Sequence, residues 1–277
     1  MTSLKDKTIV ITGASRGIGA AIAIRAARDG ANIAILAKSD TPHPTLEGTI
    51  HTTADTVEKA GGRALPLAVD IRDENVVAGA IQTIAATFGR IDMVVNNASA
   101  IHAAPTPHTP MSKYDLMMDV NARGTFAVVQ AALPHLQKSA TADSPAQILT
   151  LSPPLNLGSQ WIGRCPAYSL SKYGMSLLTM GFAAEFKDWH IHANTLWPQT
   201  LIATDAVRVF FADAYNASRT PEIVAEAAYA ILTGCNGRFE TGQHYTDESA
   251  LRLVGINDFS QYNTTPGLDP VDDIFLD

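Results

Sequence analysis

Tyr168 and Lys172 stand four positions apart in the run Tyr168-Ser169-Leu170-Ser171-Lys172, a spacing that puts both side chains on one face of a helix. A phenol is a weak acid with an ordinary pKa of about 10, and a nearby positive charge stabilises its anion. A tyrosine so placed can protonate a carbonyl oxygen, or deprotonate a hydroxyl, as a hydride moves. The same spacing also suits an aromatic ring packed beside a solvated lysine. A second group of residues bears on the choice: Thr12-Gly13-Ala14-Ser15-Arg16-Gly17-Ile18-Gly19. Glycines there let a backbone approach a pyrophosphate, and a helix starting among them offers free N–H groups and a partial positive charge. The glycines Gly13, Gly17 and Gly19 are spaced Gly-x-x-x-Gly-x-Gly rather than Gly-x-Gly-x-x-Gly.

Chemistry of this kind needs strands and helices to hold it, and the sequence supplies them in alternation. Apolar strand runs are Thr8–Ile11, Asn32–Ala37, Ala64–Val69, Ile91–Val95, Gln147–Leu151 and Ile191–Leu196, with a short last strand at Gln243–Thr246. Between them helical spacing predicts helices over Ile18–Arg28, Thr53–Ala60, Asp73–Phe88, Lys113–Asn121, Gly124–Leu136, Ala167–Phe186 and Pro221–Leu232. Strands apolar on both faces and separated by helices imply an α/β fold, a doubly wound parallel sheet with helices on both faces. The glycine loop then lies at the carboxyl end of the first strand, where such sheets bind nucleotides. The segment 200–220 carries weaker signals and is long enough to be a lid.

Length and charge exclude other classes. A chain of 277 residues without a linker or repeat fits one large domain, 1–277. A net charge of −7 without clustered Lys and Arg argues against nucleic acid as a partner. Met1–Lys7 is polar, and no apolar run reaches the length of a membrane span. Cys165 and Cys235 make neither a metal spacing nor a disulfide framework, so a reducing, cytoplasmic setting is expected. The eight histidines include no paired metal-ligand spacing, and no metal is expected.

The glycine loop resembles the fingerprint of the short-chain dehydrogenase/reductase family, and the resemblance covers essentially the whole chain. Asn96-Asn97-Ala98-Ser99 is similar to that family's Asn-Asn-Ala-Gly, with Ser99 in place of the glycine. Ala37-Lys38, Pro42-His43-Pro44 through Gly48-Thr49-Ile50, Ser152-Pro153-Pro154-Leu155-Asn156-Leu157 and the ending Phe275-Leu276-Asp277 resemble the hydroxysteroid dehydrogenase-like protein 2 subgroup. Some members of that subgroup carry a C-terminal sterol-carrier domain, before which this chain stops. The resemblance implies a single-domain Rossmann-type fold. It implies Tyr168 as proton donor or acceptor, and Lys172 lowering the tyrosine's pKa while bonding the nicotinamide ribose. It also implies that Asn121 holds a water linking Lys172 to solvent. Cofactor contacts are implied for Gly13, Ser15, Arg16, Gly17, Ile18 and Gly19, for Asp70 at the adenine, and for Asn97, Tyr168 and Lys172. Pro198, Thr200 and Ile202, after the sixth strand, are candidates at the nicotinamide end. Relatives pair through the helices that correspond to Gly124–Leu136 and Ala167–Phe186, so a homodimer or homotetramer is expected.

Two positions depart from the usual pattern. An NAD-dependent site places an acid at the end of the second strand; here Ile35-Leu36-Ala37-Lys38 ends without one. Lys38 with Arg16 suits the 2′-phosphate of NADP(H), which is favoured over NAD(H), although both can equally be solvated surface cations. The second departure is the serine that bonds the substrate oxygen. By register with Ile148-Leu149-Thr150-Leu151 its place falls on Pro153, which has no donor. Ser152, one residue earlier, takes over that task if the Pro153-Pro154 turn bends the chain, and is otherwise structural. Val207, Val209, Phe210, Phe211, Trp161 and Ile162 suggest a hydrophobic, even lipid-like, carbonyl or alcohol substrate. Two functions remain open: an NADP(H)-dependent oxidoreductase, and a nucleotide-binding regulatory protein with little or no turnover.

Overall fold

The computed structural model describes residues 3–234 and 237–277; Cys235 lies outside the described residues. Seven strands form one all-parallel sheet: β1 (Thr8–Thr12), β2 (Asn32–Ala37), β3 (Arg63–Ala68), β4 (Met93–Asn96), β5 (Ala146–Leu151), β6 (Ile191–Trp197) and β7 (His244–Thr246). Their order is β3-β2-β1-β4-β5-β6-β7. The chain winds outward from β1 to β3, then returns to the other side of β1 to start β4. That reversal leaves a crevice outside the carboxyl ends of β1 and β4.

The helices are α1 (Gly17–Ala27), α2 (Ile50–Lys59), α3 (Glu74–Phe88), α4 (Met111–Met117), α5 (Thr125–Ser139), α6 (Ser159–Arg164), α7 (Pro166–Glu185), α8 (Asp205–Phe210), α9 (Glu222–Thr233) and α10 (Asp247–Leu253). Alternation along β1 sends Ile9 and Ile11 into one core with Ile22 of α1 and Val224 of α9, and Val10 into the other with Ile81 of α3 and Val128 of α5. Period-two alternation with apolar residues on both faces makes this a fully covered sheet.

Local differences from the sequence reading have local causes. Helix α2 starts at Ile50 rather than Thr53, because Thr49 and Thr52 form a reciprocal capping box. The predicted break at 121–124 is absent: α4 runs through a π-helical segment, Met118–Gly124, straight into α5. Gly124 serves close packing there instead of stopping the helix, since a Cβ would lie 2.7 Å from Ile71 Cδ1. Helix α6 was invisible in the sequence because it has no buried residue and hence no apolar stripe. Among the described residues no helix is long and apolar enough to cross a membrane, and no His, Cys, Asp and Glu cluster could hold a metal ion.

Candidate active site

The glycine loop is tied to the end of β4. Thr12 Oγ1 accepts hydrogen bonds from the backbone N–H groups of Asn97 (3.1 Å) and Ala98 (3.0 Å). In return the Asn97 amide donates to the carbonyls of Thr12 (2.9 Å) and Gly13 (3.0 Å). Gly13 has a φ of 67° and Gly17 one of 58°, a left-handed region that favours glycine. At Gly19 a Cβ would lie 2.5 Å from Asn97 Nδ2, so the close helix–strand fit needs hydrogen there. Asn97 thus borders the crevice with its side chain committed to the loop.

The residues along the crevice fit a dinucleotide. Helix α1 begins with no side-chain cap, which leaves its first N–H groups free for an anion. A groove lined by Gly13, Ser15, Arg16, Gly17 and Ile18 extends past Lys38 to Asp70, with Leu36, Val69 and Ile71 as apolar walls. Asp70 is held down to about 2, first by hydrogen bonds from Arg72, with Lys38 adding at 3.5 Å. The Lys38 side chain is 62% exposed. Arg16 borders the groove but donates to the carbonyls of Glu47 (2.9 Å) and Gly48 (2.7 Å) and to Ser39 Oγ (3.3 Å). It thereby pins the 39–48 segment beside the groove.

Tyr168 and Lys172, on α7, line a second cavity with Leu151, Trp197, Pro198, Ile202 and Asp273. Ile18, Asn97, Ser99 and Thr204 border both spaces, so cavity and groove adjoin. Both side chains are buried, Tyr168 at 4% and Lys172 at 2% exposure. Lys172 Nζ donates to the Leu151 carbonyl at 2.6 Å and lies 5.1 Å from the centroid of the Trp197 ring. Burial pushes the Lys172 ammonium down to about 7, against the opposing charge of Asp273. Burial likewise drives the Tyr168 phenol upward, with Asp273 and Cys165 adding to it. The sequence reading has Lys172 lowering the phenol's pKa; here a Lys172 N–H donates to Leu151 and burial is the first cause acting on both groups.

Asn121 sits in the π-helical segment, fully buried. Its amide accepts from the Ala100 N–H (2.7 Å) and donates to the Ala100 carbonyl (3.0 Å) and Ser171 Oγ (2.9 Å). It therefore ties the loop after β4 to α7. Ser152 is fully buried with no hydrogen-bond partner for its Oγ, and is not among the residues lining the cavity that Tyr168 and Lys172 share. Thr200 is placed similarly: buried, with an unpartnered Oγ1. Val207, Phe210 and Phe211 border the cavity, whereas Val209 is exposed and Trp161 packs on Phe275 at 6.4 Å.

The residue that sequence reasoning missed is Asp273, brought to the cavity by the C-terminal segment. The only signal was an acid two positions before the aromatic of an apolar ending, Asp273-Ile274-Phe275. Phe275 sits among Tyr168 (6.2 Å), Tyr173 (5.2 Å), Trp197 (6.0 Å) and Trp161.

With this geometry in view, residues 7–214 match the family model described as short chain dehydrogenase. A putative dehydrogenase from Xanthomonas campestris is 49% identical, covers 99% of both chains and superposes with a TM-score of 0.94. A short chain dehydrogenase from Mycobacterium thermoresistibile is 44% identical over 99% of this chain and 96% of its own, with a TM-score of 0.91. Hydroxysteroid dehydrogenase-like protein 2 of Xenopus tropicalis is 48% identical over 98% of this chain. The chain spans 63% of that relative's length. The matched model, the parallel sheet and these relatives agree: the chain belongs to the short-chain dehydrogenase family.

Proposed function

We propose that this chain is an NADP(H)-dependent oxidoreductase that interconverts a carbonyl and a secondary alcohol on a small hydrophobic substrate, with Tyr168 as general acid and base. The observation that carries this reading is a tyrosine and a lysine walling one largely apolar cavity that adjoins a groove at an uncapped helix start. Bound nicotinamide supplies or takes the hydride. Gly13, Ser15, Gly17, Ile18 and Gly19 would hold the pyrophosphate. Lys38 and Arg16 would meet the 2′-phosphate, Asp70 the adenine, and Pro198, Thr200 and Ile202 the nicotinamide end. Burial keeps Tyr168 in its acid form, which suits donation of a proton to a carbonyl oxygen. Lys172 titrates near neutrality and can replace that proton, and Asn121 fixes the helix that carries both. The chain works as a single unit, with 200–220 as a lid whose Val207, Phe210 and Phe211 close on the substrate. Phe126, Leu170, Leu177 and Met180 are exposed on α5 and α7, a surface suited to pairing as a homodimer or homotetramer. A reducing, cytoplasmic setting suits the free thiol of buried Cys165.

The test is to follow NADPH absorbance against aldehydes, ketones and 3-oxoacyl thioesters, with dissociation constants for NADPH and NADH. Consumption with a hydrophobic ketone and tighter NADPH binding are expected. Tighter NADH would remove the cofactor assignment. A second reading, a nucleotide-binding protein with little turnover, draws on the unpartnered Ser152 Oγ. It predicts NADPH binding without consumption of any compound.

A further inference from the structure

The cavity that holds Tyr168 is mostly apolar, and the charged side chains lining it are Lys172 and Asp273. Asp273 is held there from both sides. Its N–H donates to the Gln199 carbonyl (3.0 Å), and the preceding Val271 pairs with Leu201 and Ala217 through backbone bonds of 2.9 and 2.8 Å. Beyond it, Trp197 Nε1 donates to the Ile274 carbonyl (3.1 Å). The Asp277 carboxylate accepts from Asn156 (2.9 Å), Gln160 (3.2 Å) and Trp161 (3.0 Å). Asp273 Oδ1 accepts the Ile274 N–H at 2.8 Å; among the described residues no hydrogen bond engages the other oxygen. Asp273 is half-buried and borders the cavity.

A carbonyl oxygen turning into an alkoxide has room for two donors. Tyr168 supplies one. Pro153 has none to give, and the Ser152 hydroxyl is buried outside this cavity's lining. We propose that Asp273 is a further catalytic residue, whose free carboxyl oxygen hydrogen-bonds the reacting oxygen of the substrate alongside the Tyr168 hydroxyl. The proposal rests on the oxidoreductase reading above.

To donate, the carboxyl must keep its proton. Burial, reinforced by the charge of Asp247, pushes Asp273 up to about 7, while Lys172 pulls the other way. Lys172 and Tyr168 face it from α7 and Asp247 from the start of α10, the latter itself faced by Arg219 and Glu248. The exposed Asp272 adjoins it in the tail, and the cavity-lining parts of β6 and α8 bring no titratable group. In reduction the substrate carbon accepts a hydride from the reduced nicotinamide and its oxygen accepts the proton of Tyr168. The C=O π bond, the tyrosine O–H bond and the C–H bond of the hydride donor break as the new C–H and O–H bonds form, the donor being oxidised as the carbonyl is reduced. Asp273 keeps its proton throughout.

Asp273→Asn keeps a donor that cannot ionise, whereas Asp273→Ala removes it. With the full chain, NADPH and the best ketone of the panel, Asp273→Ala should lower kcat about 100-fold with an unchanged NADPH dissociation constant. Asp273→Asn should stay within about tenfold of the wild type and make the decline in kcat/KM above pH about 7 shallower, because Lys172 alone is left to titrate there. Equal losses in the two variants, or an unchanged rate in Asp273→Ala, would overturn the proposal. Should Asp273→Ala fail to fold, the pH profile of Asp273→Asn decides: a decline as steep as the wild type's overturns it. A wild type that consumes no NADPH with any compound removes the oxidoreductase reading first, and this proposal with it.

Discussion

Ser152 and Tyr168 make opposite demands on a single hydroxyl. The Ser152 Oγ is fully buried with no partner, and an unmade buried hydrogen bond costs about 1–3 kcal/mol. Ser152→Ala should therefore raise stability by about 1 kcal/mol in urea unfolding and leave kcat nearly unchanged. Tyr168→Phe should lower kcat at least ~100-fold, with NADPH binding retained. A large rate loss in Ser152→Ala would return that serine to the mechanism. These residues also mark how far sequence could reach. Tyr168 and Lys172 were legible because helix geometry alone puts them on one face, which lines one cavity. Gly13, Gly17 and Gly19 were legible because a strand-turn-helix context fixes what glycines there can do. Asp273 was not, since it meets Lys172 across some hundred residues of chain through a tail with no periodic pattern.

At the scale of elements, the first six strands were legible, because a parallel sheet covered on both faces writes apolar runs into the chain; β7, the half-buried His244–Thr246, has no such run and was read as a short last strand. What failed were short or irregular elements: α6, with no buried face, the brief helices α8 and α10, and the π-helical segment, where Asn121 and Gly124 read as a stop. The C-terminal strap belongs with them. It makes no strand or helix, and its order comes from Phe275, 1% exposed among four aromatic rings. Phe275 has a φ of 75°, a left-handed conformation that costs a non-glycine residue roughly 1–2 kcal/mol, so its ring contacts must outweigh that. Phe275→Ala keeps the strain and loses the ring, at a cost of about 3 kcal/mol. Hydrogen exchange should then show the backbone N–H groups of Leu201 and Asp273, which bond across the strap's edge, losing protection before the sheet does. Turnover should fall with them, because the strap walls the cavity. Unchanged protection would mean that the hydrogen bonds to Asp277 hold the strap without the ring.

For the molecule as a whole, Asp247, Asp273 and Lys172 carry the large shifts between pH about 4 and 10, beside smaller downward shifts at the partly buried His135, His192 and His244. Burial raises Asp247 to about 6 and Asp273 to about 7, and lowers Lys172 to about 7. Both aspartates bind protons more tightly folded than unfolded. Their contribution is complete below pH about 4 and disappears as pH rises through 6 and 7. Lysine has the opposite sign: between pH about 7 and its ordinary value near 10.5 the unfolded chain holds the proton that the folded chain has released, so stability recovers. The sum of these three contributions is lowest near pH 7. Asp70, held down to about 2, is ionised in both states above pH about 5 and leaves this shape untouched. Asp247 isolates the acidic side of the minimum. Its Oδ1 already accepts from the N–H groups of Gln199 (2.8 Å) and Glu248 (2.7 Å), while Oδ2 is buried without a partner. Asp247→Asn keeps the first oxygen and replaces the charge with an amide. The variant should match the wild type near pH 4 and exceed it by on the order of 2 kcal/mol at pH 8. Urea unfolding at both pH values checks this. A variant less stable than the wild type at pH 8 would show that the attraction between Asp247 and Arg219 outweighs the desolvation of the carboxylate.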